Sequence, residues 1–178
     1  MWWSDAAMER RGALGRMLGL GGGALLAATL SGCGFKLRAS QDFSFSSAAV
    51  LPNPGGQLAI ELRRSFGNAV RVLRPEEPLT QAQVVLEILQ EQREKIVVGV
   101  NSSGQIREYQ LRIRVKFRVR NGQGQELVPT AEIVQQRDIS FNESAVLAKE
   151  AEEVLLYRDM QGDIVQQLLR RLAAVRPG

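Results

Sequence analysis

A chain of 178 residues with a formal net charge of +4, no histidine and one cysteine excludes several kinds of chemistry at once. Histidine-based triads and imidazole zinc sites are impossible, and a lone thiol cannot close an internal disulfide. Carboxylate-only catalysis survives this test, and so small a positive excess suits a phosphorylated lipid as readily as any other anion.

Arg10, Arg11 and Arg16 lead into an apolar run from Met17 to Leu30, followed by Leu30-Ser31-Gly32-Cys33. A basic n-region, a short apolar h-region and small residues before a cut make an export signal. The run is interrupted by Gly19, Gly21, Gly22 and Gly23 and falls short of the about 20 apolar residues that span a bilayer. Leucine, two small residues and cysteine form the narrower pattern of a lipoprotein signal, with cleavage expected before Cys33 and acylation of its sulfur. Met8-Glu9-Arg10-Arg11 is a more ordinary start for such a leader than Met1, and the general secretory route fits better than twin-arginine export. The expected organisation is a signal peptide over 1–32, a lipidated tether over 33–47 and one domain over 48–176. A single acyl chain holds only marginally; the diacylglyceryl and N-acyl groups expected on Cys33 together hold firmly. Glycine at position 34, where an aspartate favours inner-membrane retention in some bacteria, points to the outer membrane.

After a serine-rich stretch, Phe43 to Leu51 reads as a strand. Asn53-Pro54 suits an N-cap and a first-turn proline, Leu58, Leu62 and Phe66 recur every four residues, and Gly67-Asn68 supplies a stop. Val70 to Leu73 is apolar and β-prone. From Gln83 the period becomes two, running through Val84, Leu86 and Ile88 and again through Ile96 to Val100, with a turn at Asn101-Ser102-Ser103-Gly104. The cleanest strand follows. Leu111, Ile113, Val115, Phe117 and Val119 point one way, and Arg112, Arg114, Lys116, Arg118 and Arg120 the other. Asn121-Gly122-Gln123-Gly124 closes a hairpin onto a strand from Ala131 to Phe141.

Asn142 can cap a long last helix in which Leu147, Ala151, Val154, Tyr157, Met160 or Gln161, Ile164, Leu168, Leu172 and Val175 form a stripe expected to lie on the sheet. Gly162 costs about 1 kcal/mol relative to alanine and makes a kink or break plausible there. The fold expected is α+β: an antiparallel or mixed four-stranded sheet with two helices packed on one face and the cationic row on the other.

Two readings of that row stand side by side. Glu87, Glu132 and Glu126 on neighbouring strands can pair with it. Alternatively, it is a surface for lipid phosphates or acidic side chains. Nucleic acid fits poorly, because no aromatic residue interleaves the cations. Lys149 is unhelpful to the dipole at a helix N-terminus, though Glu152 and Glu153 stand at pairing distance along the helix.

Cys33-Gly34-Phe35-Lys36-Leu37-Arg38, Gly104-Gln105 with Glu108-Tyr109-Gln110, Leu147-Ala148-Lys149 with Glu152, and Leu168-Leu169-Arg170-Arg171-Leu172 resemble, in that order, the lipopolysaccharide-assembly lipoprotein family LptE. The resemblance implies a non-enzymatic, lipid-anchored outer-membrane protein, facing the periplasm or seated inside the lumen of the β-barrel LptD. It would assist that barrel's assembly and the delivery of lipopolysaccharide, with no cofactor beyond the covalent lipid on Cys33. Lys149 matches a basic residue that the family connects with lipopolysaccharide. Ser102 stands where another is basic, and Arg107 or the strand cations Arg112, Arg114, Lys116 and Arg118 are the substitutes. Two rivals are an accessory lipoprotein of another outer-membrane transporter and a carboxylate-dependent envelope hydrolase built from Glu61, Glu87, Glu132 or Asp138.

Overall fold

The computed structural model describes residues 41–177. The expected signal peptide, Cys33 and the start of the tether lie outside the described residues. In chain order the elements are β1 (Ser47–Leu51), α1 (Gln57–Ser65), β2 (Arg71–Val72), β3 (Val84–Val100), β4 (Ile106–Arg120), β5 (Glu126–Ser140) and α2 (Val146–Ala173). They form one mixed sheet in the order β2-β1-β3-β4-β5. β1 runs parallel to both β2 and β3, whereas β3, β4 and β5 make an antiparallel meander. The sheet thus has five strands rather than four. The extra one is the two-residue β2, which is too short to be told from a loop by periodicity.

Two turns of one design set the meander's register. In each, an asparagine Oδ1 accepts two backbone N–H groups: from Ser103 at 3.0 Å and Gln105 at 2.9 Å at Asn101, and from Gln123 at 3.1 Å and Gln125 at 2.8 Å at Asn121. Gly104 and Gly124 then take φ of 79° and 93°, which other residues adopt only with strain.

With register fixed, the period-two pattern puts Leu111, Ile113, Val115, Phe117 and Val119 on one face of the sheet, all buried. Met160, Ile164, Leu168 and Leu172 of α2 and Leu58 and Leu62 of α1 share their cluster, with Phe45 and Phe66. Each such side chain is worth about 1.5–3 kcal/mol on burial, and this cluster is what holds both helices on the same face.

Three expectations need correction. Helix α1 begins at Gln57, not at Asn53-Pro54. Gly55 stands at φ 68°, in the left-handed region, so right-handed helix cannot start before it. The bend ahead of α1 is instead held by Arg63, whose Nη1 donates to the carbonyls of Val50 at 3.2 Å and Pro52 at 3.4 Å. Helix α2 runs unbroken through Gly162. Finally, the apolar stripe of α2 does not lie on the sheet along its whole length: Leu147 is 83% exposed and Val154 67%. Burial begins in earnest at Met160; over the earlier turns the side chains that reach the sheet are the polar Lys149, Glu153 and Tyr157, bonded to Ser140, Lys95 and the Glu94 carbonyl.

β3 also carries a bulge. β3 pairs Ile88 with Phe117 and then Gln90 with Lys116, so Leu89 is an extra residue and the faces exchange beyond it. Before the bulge the odd positions of β3 face away from the helices; after it the even positions do.

No described helix is long and apolar enough to cross a membrane.

Candidate functional site

The face of the sheet turned away from the helices is chemically distinctive. β4 presents Arg112, Arg114, Lys116, Arg118 and Arg120 there, on alternate residues about 7 Å apart. Two carboxylates from β3 divide this row. Glu87 is held by Arg118 and, at 2.7 Å, by the Nε of Arg120. Burial pushes its carboxyl up, but the hydrogen bonds and charges of Arg120 and Arg118 outweigh this and hold it below the usual glutamate range. Glu94 lies 3.5 Å from Arg112 Nη1 and 3.6 Å from Arg114 Nε. Arg112 also donates to Gln110 at 2.7 Å.

Lys116 lies between these two clusters. Its register partners are Gln90 and Glu132, and among the described residues it has no ion pair. Arg112 Nε and Arg114 Nε are buried donors without a hydrogen-bond acceptor. Among the described residues, two carboxylates thus pair with four of the row's five cations, and Lys116 makes no such pair. Of the acids named from the sequence, Glu87 joins the row, whereas Glu132 and Glu126 make no ion pair among the described residues. Glu94 was missed. Only the bulge brings it to this face, and a bulge leaves little trace in residue periodicity.

Lys149 and Arg107 belong to a different place. Lys149 sits in the first turn of α2 and donates to Ser140 Oγ at 3.0 Å and to Glu152 at 2.8 Å, tying the helix to the end of β5. The Arg107 carbonyl accepts from Phe141 N–H at 2.7 Å, beside the edge-to-face pair of Tyr109 and Phe141. Its side chain is exposed. Both cations thus lie at the end of the sheet near the Asn101–Gly104 turn, while Arg112, Arg114, Lys116 and Arg118 line the open face. Ser102 is exposed within that turn.

Between α2 and the outer half of β3 runs a polar seam. Lys95 donates to Glu153 at 2.6 Å and covers the Tyr109 ring at 4.5 Å. That hydrogen bond raises the lysine's pKa against the opposing effect of burial. Tyr157 donates to the Glu94 carbonyl at 2.7 Å, and burial raises the phenol's pKa. Arg93 donates to Gln161 at 2.6 Å, which in turn donates to Glu61 at 2.6 Å. The small cavity under the first turn of α2, about 50 Å³, is lined by Lys95, Tyr109, Phe141, Lys149 and Glu153 among others and has room for water only.

Among the described residues the four candidate hydrolytic acids line no common cavity, and Glu132 stands opposite Lys116 on the open face. Glu61 is bonded to Gln161 on the helix side, Glu87 to two arginines on the open face, and Asp138 to Gln110 at 3.1 Å. A larger cavity of about 200 Å³, bordered by Leu51, Leu73, Arg74 and Glu77, contains none of them. Among the described residues no cluster of acidic or sulfur-bearing side chains could hold a metal ion.

Comparison with known proteins agrees with this architecture. A solution structure of an uncharacterized lipoprotein B from Nitrosomonas europaea is 33% identical, with a TM-score of 0.68 over 79% of this chain and 91% of that one. The fold is shared by the rare lipoprotein B of Shewanella oneidensis (22% identity, TM-score 0.59, 72% of this chain and 92% of that one). It is shared also by a minor lipoprotein of Acinetobacter baumannii (20% identity, TM-score 0.58, 75% and 96%). A search of curated proteins gives no match. The family described as "LptE: Lipopolysaccharide-assembly" matches residues 41–172, every described strand and nearly all of the final helix, and the chain belongs to that family of lipopolysaccharide-assembly lipoproteins.

Proposed function

We propose that this protein is anchored in the outer membrane through acyl groups on Cys33, after removal of a signal peptide over 1–32, and complexes with an LptD-type β-barrel. In that complex it assists assembly of the barrel and delivery of lipopolysaccharide to the cell surface. The tether over 33–47 carries the domain of 48–176, which faces the periplasm or sits in the barrel lumen. Its role is one of binding and support rather than catalysis, with no cofactor beyond the covalent lipid and no nucleic acid partner.

The observation that carries this reading is the family match across the whole sheet and its helices. The open face supports it on physical grounds. Guanidinium and ammonium groups make strong charge-assisted hydrogen bonds to phosphate, and a barrel lumen is polar and wet, which suits a charged outer face. Arg112, Arg114, Lys116 and Arg118 are assigned to contact an anionic partner, with Lys149 and Arg107 forming a second basic group at the end of the sheet.

Affinity purification of the full chain from detergent-solubilised envelopes tests the proposal. An LptD-type barrel and lipopolysaccharide are expected to follow. Recovery of a different barrel makes the protein an accessory lipoprotein of that transporter. Mass spectrometry of the purified chain is expected to show an acylated N-terminal Cys33, and an intact leader or an unmodified sulfur would overturn the anchor.

A further inference from the structure

The tether enters the domain at one end, and both helices finish there. Phe43 packs its ring against Phe66, the residue that closes α1. Ser44 Oγ donates to the carbonyl of Val175, just past the end of α2. β1 pairs with β3 only over Val84–Glu87, and the Asn121–Gly124 turn, which joins Arg120 (opposite Val85) to Glu126, stands at the same end. This pole carries Arg64, Arg170, Arg171 and Arg176, all exposed and none in an ion pair among the described residues. Asp42 and Glu126 stand there too, so cations remain in excess. The far end has the opposite balance. Lys149 and Lys95 are taken by Glu152 and Glu153, and Glu108, Glu143 and Glu150 remain exposed beside Arg107.

We infer that the arginine-bearing pole docks on the anionic phospholipid surface in which Cys33 is anchored, so that the strands stand away from the membrane with the Asn101–Gly104 turn outermost. The inference rests on the acyl anchor proposed above and not on the barrel. The eight residue steps from Cys33 to Gln41 reach at most about 29 Å, whereas β3, with 17 residues, is about 56 Å long. The tether thus keeps the pole near the leaflet in any posture, and charge decides between lying flat and standing. Lys36 and Arg38 add two cations to the tether itself. Arginines within about a Debye length of an anionic leaflet are attracted to it, and the acidic far end is repelled. The acyl chains supply the hold; the arginines supply the orientation.

The dipole at a helix C-terminus favours each arginine singly, and Arg176 donates to the Ala173 carbonyl at 3.2 Å. It does not require two helices to end beside the tether, nor an acidic excess at the opposite end. An acidic protein surface would also suit the arginines, but the tether brings lipid phosphates to this pole whatever else is bound.

The test is energy transfer on the acylated mature chain in vesicles, from a dye on Gln123→Cys at the docked pole or on Ser103→Cys at the far turn, to an acceptor in the lipid surface. Both sites are exposed, and Cys33 is blocked by its lipid, so each label is single. With phosphatidylglycerol mixed into phosphatidylcholine, transfer from the Gln123 site should exceed that from the Ser103 site by roughly twofold or more, and in about 1 M salt, where the screening length is about 3 Å, the two should converge. Phosphatidylcholine alone should make them converge as well. Arg170→Glu combined with Arg171→Glu should do the same on the mixed vesicles, with the circular dichroism spectrum retained. Transfer that ignores lipid charge and salt would overturn the inference and leave the anchor standing. So would a difference that survives the double substitution while barrel recovery is lost, which would give the arginines to a protein partner. An unmodified Cys33 in mass spectrometry of the same sample would overturn the anchor and the inference together.

Discussion

Glu87 and Glu94 point to the same face of β3 although an odd number of positions separates them, because the bulge at Leu89 falls between them. On a regular strand one of the two would face the helices. The bulge gives each a pair of cations to hold and leaves Lys116 between them.

Removing Glu94 should therefore act on two arginines at once. Glu94→Gln leaves Arg112 and Arg114 without their shared carboxylate, in a setting where each already has a buried Nε lacking an acceptor. The expected loss is about 0.5–2 kcal/mol, from partly exposed pairs. A thermal melt reads it, and added phosphate should restore part of the lost stability. No change in the melt would mean that the carboxylate does not organise the row.

The pair of arginines on Glu87 predicts a particular pH dependence. A carboxyl whose folded pKa is depressed stabilises the fold above its unfolded value, about 4.3, and that contribution is lost as pH falls through the folded value. Urea midpoints should show Glu87→Gln less stable than the unsubstituted chain at pH 7, with the gap closing below pH ~4. Because Arg118 is well exposed, the gap should stay within about 1–2 kcal/mol. A gap that persists at low pH would assign the effect to packing instead.

Gly162 should be replaceable with profit. It lies inside α2 with helical geometry, and a Cβ there meets only Glu61 Oε1 at 4.0 Å, ordinary van der Waals contact. Gly162→Ala is expected to stabilise the protein by roughly 0.5–1 kcal/mol, measured by chemical denaturation. Destabilisation would show that α1 needs the space.

Charge reversal in the row separates function from solubility. Arg114→Glu combined with Lys116→Glu should reduce either lipopolysaccharide retention or barrel capture in the purification described above, with the circular dichroism spectrum retained. If both survive intact, the cations serve only to keep the face in water.

Most of the fold could be read in advance from residues with strong local signatures. The alternation from Leu111 to Arg120 names both faces of β4, and the asparagine and glycine residues of the two turns mark where the meander reverses. What escaped reading depends on neighbours. Leu147 and Val154 look like core on a helical wheel, yet they stay in water because the first half of α2 turns Lys149, Glu153 and Tyr157 to the sheet instead. β2 exists only because β1 lies beside it; Leu73 N–H donates to the Ala48 carbonyl at 2.8 Å. The cationic row was legible as a pattern, but its division by Glu94 required the register.

The short reach of β1 has a further consequence. Beyond Glu87 the three longest strands run on without β1: Phe117, Val115, Ile113, Leu111 and Ile139 carry the apolar cluster along one face of them, and polar contacts such as Lys95 with Glu153 and Arg137 with Asp163 flank it. At about 3.3 Å per residue the edge of β3 from Ile88 to Val100 is roughly 40 Å long, and amides that face outward along it have no described strand to accept their hydrogens. Amides from Gln92 to Val100 should exchange with deuterium through local opening, long before those from Val84 to Leu86, which must wait for the whole molecule to come apart.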